Sequence, residues 1–466
     1  MELWRRSARE LAHLIASRQV SSREVVTAHL DRIDSVNPHL NAVVRRMDES
    51  ALAGADAADV ALRRGDRVGP LHGVPFSVKE NIDVAGTPTT SAVVALAEAY
   101  SNTDAPVVER MKAAGGIVIG RTNLPDMGLR IHTDSSLHGL TRNPWNPDRT
   151  AGGSSGGEGS ALAAGMSPIG LGNDIGGSLR NPAHCCGIAS IKPTQGVIPF
   201  ATEIPPTGLS MAFQLMASEG VMARRVADVR LGFDIVRGQH RRDPYSVTAS
   251  LAEMTVDRPW RVAVMDTPPG GSTDPGIAAA VRSAGEALER AGHHVETAAP
   301  PDFEEVVSMW ASTINADLLA SRPLLEAVMG KDANTFLGYG MSVFPALDAD
   351  GLAQLHLRRF EVATKWAQWF GDHDVLLSPT WALPAFEHGF DVAGLEQAMV
   401  VLETFRTVLP MNLFGSPSAV VPAAISEGMP VGVQVSAWRF DDLKCLTAAQ
   451  VIDEMIGITT PIDPCH

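Results

Sequence analysis

Apolar residues recur at helical spacing in the first part of the chain. Between positions 7 and 35 they follow the three-to-four-residue period of an α-helix. Ser21 and Ser22 stand just before Glu24, an arrangement in which serine and glutamate side chains can cap the first N–H groups of a helix. The pattern therefore predicts two amphipathic helices in this segment.

The following segments alternate between short apolar runs and helical periodicity. Residues 68–86 contain apolar pieces broken by Gly and Pro, and residues 115–126 contain a buried-type strand. The stretch between them has the spacing of a helix, so a strand–helix–strand unit is predicted. Further elements are predicted downstream: a helix at 158–166, a buried strand or helix end at 168–172, a helix at 222–236, a strand at 258–266, a helix and then a strand within 276–296, a mainly helical section at 302–371, strands within 374–386 and 417–437, and a helix at 443–456.

This alternation of strands and helices is typical of an α/β fold. No internal repeat and no break in composition requires a linker. We therefore predict one large domain over residues 1–466, with a mixed central β-sheet covered by helices on both faces.

Composition and charge narrow the classes of protein. The 466 residues are 45% hydrophobic and 20% charged, which is typical of an ordered globular protein. The formal net charge is −15 and basic clusters are short, so nucleic acid is not an expected partner. No run of about 18 consecutive apolar residues occurs, so no membrane-spanning helix is predicted. Charges throughout the first 17 residues predict a helix and not a signal peptide, and hence a cytoplasmic protein.

Cysteine usage gives no sign of a disulfide framework or a metal site. The chain has four cysteines, and the adjacent Cys185 and Cys186 would not easily bridge to each other, so reduced thiols are expected. Neither a C-x-x-C pair nor an H-E-x-x-H helix occurs, so neither a metal nor another cofactor is predicted.

Two serine clusters stand among glycines between residues 150 and 193. Ser154 and Ser155 have two glycines on each side, and two glycines directly precede Ser178. Glycine reaches backbone conformations closed to other residues, and such conformations gather at functional sites. We therefore predict an active site here.

Two other interpretations of this run are less favoured. The Gly- and Ser-rich run GGSSGG also suits a flexible linker, but it lies between RNPWNP and an apolar helix. The later part resembles a phosphate-binding loop of a kinase, but no G-K-[ST] follows and G-x-G-x-x-G is not met.

Hydrolysis of an unactivated amide needs a nucleophile, a base and donors that stabilise the oxyanion. Ser178 suits the first role, and the N–H groups of Ile175, Gly176 and Gly177 can converge on one oxygen as an oxyanion hole. Lys79 lies in an apolar segment where burial would favour the neutral amine, so it is a candidate base, with an intervening serine as relay.

A Ser–His arrangement is the alternative mechanism. No G-x-S-x-G motif supports it, although four histidines lie near the motifs, and packing or capping is their expected role: His72, His132, His138 and His184.

Five segments of the chain have distinctive residue patterns: GVPFSVKENIDVAG at 73–86, DAPVVERMKAAGGIVIGRTNLPDMG at 104–128, TRNPWNPDRTAGGSSGGEGSALAAG at 141–165, GLGNDIGGSLRNPAHCCGIASIKPT at 170–194, and MPVGVQV at 429–435. By these segments, nearly the whole chain resembles the amidase signature family.

The resemblance implies a catalytic triad of serine, cis-serine and lysine. By position it makes Ser178 the acylated nucleophile, Lys79 the ultimate base and Ser154 the bridging serine, following a cis peptide bond from Gly153. Ser155 would be a supporting donor.

Residues around the triad support it or depart from the commonest family pattern. Asp174 and Arg180 are expected to brace the nucleophile loop, Arg180 through backbone carbonyls. Asn173, Ile175 and Glu158 replace the residues that are frequent in the family, and the last two resemble the fatty-acid amide hydrolase branch. An apolar pocket is expected, with candidate lining residues taken from loops near the motifs: Met127, Leu129, Ile204, Leu209, Met211 and Phe213.

These observations predict a serine hydrolase that cleaves the C–N bond of linear amides, with anilides, carbamates and some esters as side substrates. The alternatives are the A subunit of a glutamine-dependent tRNA amidotransferase and a protein whose main activity is carbamate (urethane) hydrolysis. We expect a small-molecule amide as partner, no nucleic acid or membrane, and a homodimer as the preferred assembly. Residues 1–66 would form N-terminal helices, 67–236 the catalytic core, and 237–466 the substrate-side helices and remaining strands.

Overall fold

The computed structural model describes residues 2–204, 207–249, 251, 258–344, 346–458 and 460–465. Position 345, inside the section predicted as mainly helical, lies outside the described residues. The α-helices of the described part are α1 (Ala8–Ala16), α2 (Ser22–Leu40), α3 (Asp48–Arg64), α4 (Pro106–Ala113), α5 (Gly156–Ala163), α6 (Arg180–Cys186), α7 (Met211–Met216), α8 (Val226–Val236), α9 (Pro275–Arg290), α10 (Phe303–Val328), α11 (Lys331–Val343), α12 (Ala349–Asp372), α13 (Leu395–Thr404), α14 (Leu409–Leu413) and α15 (Asp442–Ile456). Short 3₁₀ helices lie at Leu3–Arg5, Val94–Leu96, Asp126–Gly128, Phe390–Val392 and Arg406–Val408.

One mixed sheet of 11 strands runs through the described chain, in the order β1-β3-β2-β6-β8-β7-β12-β13-β11-β9-β10. Two further strands, β4 and β5, form a small antiparallel pair. The strand bounds are β1 (Val43–Arg46), β2 (Pro75–Lys79), β3 (Ile117–Thr122), β4 (Asp134–Ser135), β5 (Gly139–Leu140), β6 (Ile169–Asp174), β7 (Ala189–Lys192), β8 (Ser218–Ala223), β9 (Arg261–Val264), β10 (His294–Thr297), β11 (Val375–Pro379), β12 (Ser418–Ser426) and β13 (Met429–Ser436).

The sheet combines two parallel regions with an antiparallel centre. Strand β2 pairs in parallel with β3 and β6, and β9 pairs in parallel with β10 and β11. Between these regions, β6, β8, β7, β12, β13 and β11 pair antiparallel in turn. Every residue of β2, β6, β7, β8 and β13 is buried, because helices flank the sheet. The predicted α/β domain with a mixed central sheet is confirmed.

Local sequence signals account for much of this architecture. Ser21 accepts from the Glu24 N–H while the Glu24 side chain accepts from the Ser21 N–H, so the predicted start of the second helix is confirmed. The predicted strand–helix–strand unit is β2, α4 and β3. Strand β1 lies in the segment expected to be helical, where it pairs antiparallel with β3 at the edge of the sheet.

Two predictions near the centre of the sheet need correction, and two strands there were not predicted. The helix predicted from position 222 begins at Val226, because Met222 and Ala223 belong to β8 and Arg225 is the extended N-cap residue. That strand contains Ser218, Glu219 and Gly220, which do not form a strand-like apolar run, and the sheet on both sides of it supplies its partners. Strand β7 was not predicted. Met211 and Phe213 lie on helix α7 and not in a loop.

No helix among the described residues combines the length and the apolar character that crossing a bilayer requires. The cysteines are free thiols, of which Cys185, Cys186 and Cys445 are buried and Cys465 is exposed.

Candidate active site

The predicted site residues meet at the carboxyl ends of two parallel strands. Strand β2 ends at Lys79 and its parallel neighbour β6 ends at Asp174. The loop after β6 leads through Ser178 into α6, and α5 starts immediately after Ser155. Ligand sites of α/β sheets commonly lie outside the carboxyl ends of the strands, and the predicted site residues lie at that position.

Lys79 is fully buried and in hydrogen-bond contact with Ser154. Its Nζ lies 2.7 Å from Ser154 Oγ and donates to Asn173 Oδ1 at 2.7 Å. Burial lowers the pKa of Lys79 to about 7, although nearby carboxyl groups favour the charged amine. A large share of this lysine is therefore a neutral amine near pH 7 and able to accept a proton.

The two serine clusters are joined through the backbone. The Gly153–Ser154 peptide bond is cis, and the N–H of Ser155 donates to the carbonyl of Ser178 at 3.2 Å. Ser154 and Ser178 line the same small cavity, of about 40 Å³. Ser178 is only 6% exposed, so a substrate reaches its hydroxyl through the cavities that it lines.

A buried carboxylate holds the loop that precedes Ser178. Asp174 accepts from the N–H groups of Gly177 at 2.8 Å and Leu179 at 3.1 Å, and from two nitrogens of Arg180 at 3.0 Å each. Burial alone would raise the pKa of Asp174, but the Arg180 guanidinium and a further bond from Asn412 hold it well below its usual range. Arg180 also donates to one backbone carbonyl, that of Val408, at 2.8 Å.

This network makes the loop sensitive to loss of one charge. Asp174→Ala is expected to lower the free energy of unfolding by about 3–5 kcal/mol, because it leaves the guanidinium of Arg180 buried without its counter-charge. Chemical denaturation would measure the loss. Arg230→Ala is the control, since Arg230 and Asp234 form a partly exposed pair worth at most about 1 kcal/mol. Equal losses in the two variants would contradict the argument.

The predicted oxyanion donors are only partly available. Gly177 donates its N–H to Asp174, whereas the N–H groups of Ile175 and Gly176 have no hydrogen-bond partner within the described residues. Trp310 Nε1 donates to the carbonyl of Ile175 at 2.9 Å. Because the peptide unit is planar and trans, this bond points the Gly176 N–H away from Trp310. Of the three predicted donors, the N–H groups of Ile175 and Gly176 are thus unengaged among the described residues, whereas that of Gly177 is bonded to Asp174.

Glycine is required at Gly177 for two reasons. Its φ is +93°, and a Cβ there would lie 2.4 Å from Asn181 Oδ1. Any side chain would therefore displace the turn that presents Ser178.

A second cavity, of about 120 Å³, reaches Ser178 and is mostly apolar. Its charged lining residue, Arg130, forms a buried ion pair with Asp391, with Nη2 and Oδ1 2.9 Å apart. The apolar side chains that line it come from α10, α11, α13 and adjoining loops: Leu129, Ile131, Ile175, Trp310, Ala311, Ile314, Leu318, Phe336, Leu337, Met341, Phe344, Leu402 and Phe405.

The candidate pocket residues from the sequence divide into two groups. Leu129 lines the larger cavity, and Met127 and Phe213 line the smaller one. Ile204, Leu209 and Met211, though within the described chain, line neither of these two cavities, and Met211 is half exposed. Proximity in sequence to the motifs was their only signal. Helices α10 and α11 supply about half of the residues that line the larger cavity, from more than a hundred positions further along the chain.

The four histidines considered for a Ser–His arrangement bond elsewhere. Among the described hydrogen bonds, their ring nitrogens contact neither Ser154 nor Ser178. The contacts are His72 Nε2 with Ala58 O at 3.0 Å, His132 Nδ1 with Thr150 Oγ1 at 2.9 Å, His138 Nε2 with Glu80 Oε2 at 2.5 Å, and His184 Nδ1 with Gly432 N at 3.1 Å. Burial also lowers the pKa of His184 to about 4.

Two site residues were noted in the sequence only as departures from the family pattern. Asn173 contacts Lys79, and Glu158 is buried on α5, where it accepts from Ser77 and, at 2.7 Å, from Thr122 Oγ1. Glu158 has room because Gly170 faces it without a Cβ. The departures themselves were the signal that the surroundings of Lys79 differ in this chain.

Comparison with known proteins agrees with the geometry. The amidase family model matches residues 24–446. An indoleacetamide hydrolase of Bradyrhizobium diazoefficiens is 41% identical over 98% of this chain and 87% of its own length. The A subunit of the glutamyl-tRNA(Gln) amidotransferase of Salinispora arenicola is 30% identical over 98% of each chain. The solved structure of 6-aminohexanoate cyclic dimer hydrolase with substrate superposes with a TM-score of 0.83 at 29% identity over 99% of both chains. The chain therefore belongs to the amidase signature family and is an amide hydrolase.

Proposed function

We propose that this protein hydrolyses amides with an apolar acyl group through an acyl-serine intermediate on Ser178. The observation that carries the proposal is the buried contact of Lys79 with Ser154 beside Ser178, where an apolar cavity ends. In this proposal Ser178 attacks, Ser154 relays the proton, and Lys79 is the base.

Each proton transfer in the proposed cycle has a donor and an acceptor. Neutral Lys79 takes a proton from Ser154 Oγ as Ser154 takes the proton of Ser178 Oγ, which attacks the carbonyl carbon. The oxyanion accepts from the N–H groups of Ile175 and Gly176. Collapse breaks the C–N bond, and the same relay returns the proton to the leaving nitrogen. Water then attacks the acyl-serine by the reverse path and releases the acid.

The larger cavity supports an apolar acyl group. Its walls are aliphatic and aromatic, and the charge of Arg130 is already matched by Asp391. A free amino acid such as glutamine would place its ammonium and carboxylate against these walls, which costs several kcal/mol for each unpaired charge. The cavity thus favours an apolar acyl group, such as the one named in the indoleacetamide relative.

A substrate panel tests the proposal. The purified chain alone is expected to release ammonia from indole-3-acetamide and phenylacetamide far faster than from L-glutamine. Ethyl phenylcarbamate, included as a carbamate, is expected to be a poorer substrate than these amides. Activity on glutamine that appears only with partner proteins would favour the amidotransferase alternative, and faster carbamate than amide cleavage would favour a urethane hydrolase.

Two glycines of α11 allow a matched test of the acyl cavity. Gly340 lines the cavity and Gly338 does not, and among the described atoms none lies within 4 Å of a Cβ added at either position. Gly340→Leu is expected to lower kcat/KM for indole-3-acetamide by about 10-fold or more while changing that for propionamide little, because the added side chain takes space from a bulky acyl group. Gly338→Leu makes the same change of helix propensity and should affect neither substrate. Equal losses of kcat/KM for indole-3-acetamide in both variants would show that this cavity does not bind the acyl group.

A further inference from the structure

The side-chain amide of Asn173 lies directly beside the amine of Lys79. Asn173 Oδ1 accepts from Lys79 Nζ at 2.7 Å and from Asn81 Nδ2 at 3.3 Å. Asn173 Nδ2 in turn donates to Asn81 Oδ1 at 3.0 Å. The two amides hold each other as a reciprocal pair, and Asn173 is also hydrogen-bonded to the carboxyl of Glu219 on β8. Together these contacts turn the oxygen of Asn173 toward the lysine.

A neutral amine has two N–H donors and one lone pair. Asn173 Oδ1 accepts one N–H, which leaves one N–H and the lone pair of Lys79 for its other contact, the hydroxyl of Ser154 at 2.7 Å. We propose that Asn173, held in place by Asn81, is a positioning residue that directs the Lys79 lone pair toward Ser154. This inference rests on the proposed function, since it assigns a task within the same relay.

The charges around Lys79 explain why a neutral acceptor suits this position. Carboxyl groups on three neighbouring elements already favour the ammonium form, and an arginine on a fourth lies near the lysine backbone. These groups are Glu219 on β8, Asp174 on β6, Glu158 on α5, and Arg121 on β3, which donates to the Lys79 carbonyl at 3.4 Å. Glu80, the next residue in the chain, accepts from Thr90 and His138 instead. Asn173 adds an acceptor in contact with the amine without adding charge, so the amine is oriented and its neutral form is kept.

The experiment compares pH profiles of kcat/KM for indole-3-acetamide in the full-length protein. Asn173→Asp keeps the shape and the acceptor but adds a negative charge in contact with Nζ. The rising limb of the profile is expected to move to higher pH by about 1 to 3 pH units. Asn81→Ala removes the residue that orients Asn173 and is expected to lower kcat by about 10- to 100-fold with little change in KM.

The matched control is Asn315→Asp, the same substitution at an asparagine that lines the larger cavity and donates to the carbonyl of Phe344. It is expected to raise KM and leave the rising limb in place. A limb that moves equally in both Asp variants, or that stays in place in Asn173→Asp, overturns the inference. If Asn173→Asp does not fold, an unchanged kcat in Asn81→Ala overturns it. If the wild-type pH profile has no rising limb that is lost in Lys79→Ala, the proposed function itself fails.

Discussion

Ser178→Ala is expected to lower kcat for amide hydrolysis by at least about 10⁴-fold and to abolish covalent labelling by a fluorophosphonate. In the proposed mechanism the acyl intermediate forms on this hydroxyl, and the backbone donors around it cannot replace a nucleophile. Intact-protein mass spectrometry would show one adduct per wild-type chain and none in the variant.

Ser190→Ala is the matched control for this experiment. Ser190 is buried on β7, and its hydroxyl has no hydrogen-bond partner within the described residues. The variant should keep both the adduct and the activity. An adduct that persists in Ser178→Ala would place the nucleophile elsewhere.

Lys79→Ala is expected to lower kcat/KM by about 10²- to 10⁴-fold, the usual contribution of a general base. The wild-type rate should rise with pH through about 7, because burial lowers the pKa of Lys79 to about that value. Below it the protonated amine cannot accept the proton of Ser154, and above it the neutral amine can. The variant should lack this rising limb, and a small primary amine such as ethylamine should restore part of its activity.

A second buried lysine gives the control. Burial and the nearby Arg180 also lower the pKa of Lys192 to about 7, but its Nζ donates to the carbonyl of Pro193 at 2.8 Å. Lys192→Met should therefore keep the rising limb near pH 7. If the limb disappeared in Lys192→Met and persisted in Lys79→Ala, Lys79 would not be the base.

The residues that meet at the candidate site were predictable because they lie in short segments with distinctive residue types. The contact of Lys79 with Ser154 joins two segments that the sequence had already identified, and the cis peptide before Ser154 was implied by the resemblance to the family. The capping box of Ser21 and Glu24 was predictable for the same reason, since both partners lie within one helical turn.

The substrate cavity was not predictable in this way. About half of its lining residues come from α10 and α11, whose apolar residues have the same periodicity whether they face a core or a cavity. Ile204 and Met211 were chosen for their closeness to the motifs in sequence, and neither lines the described cavities. Strand β8 was missed because its pairing partners, and not its own pattern, make it a strand.

The sequence by itself was enough to identify the family, the α/β fold and the candidate site residues in the serine and lysine segments. Each of these depends on residue types at short spacing. Only the tertiary structure decided which atoms meet. It paired the Gly177 N–H with Asp174 and the Asn173 amide with Lys79, and it brought helices from the second half of the chain to the larger cavity. The reason is physical: burial, pairing of charges and the filling of space depend on segments that are distant in sequence, and these are set only when the sheet and its helices pack together.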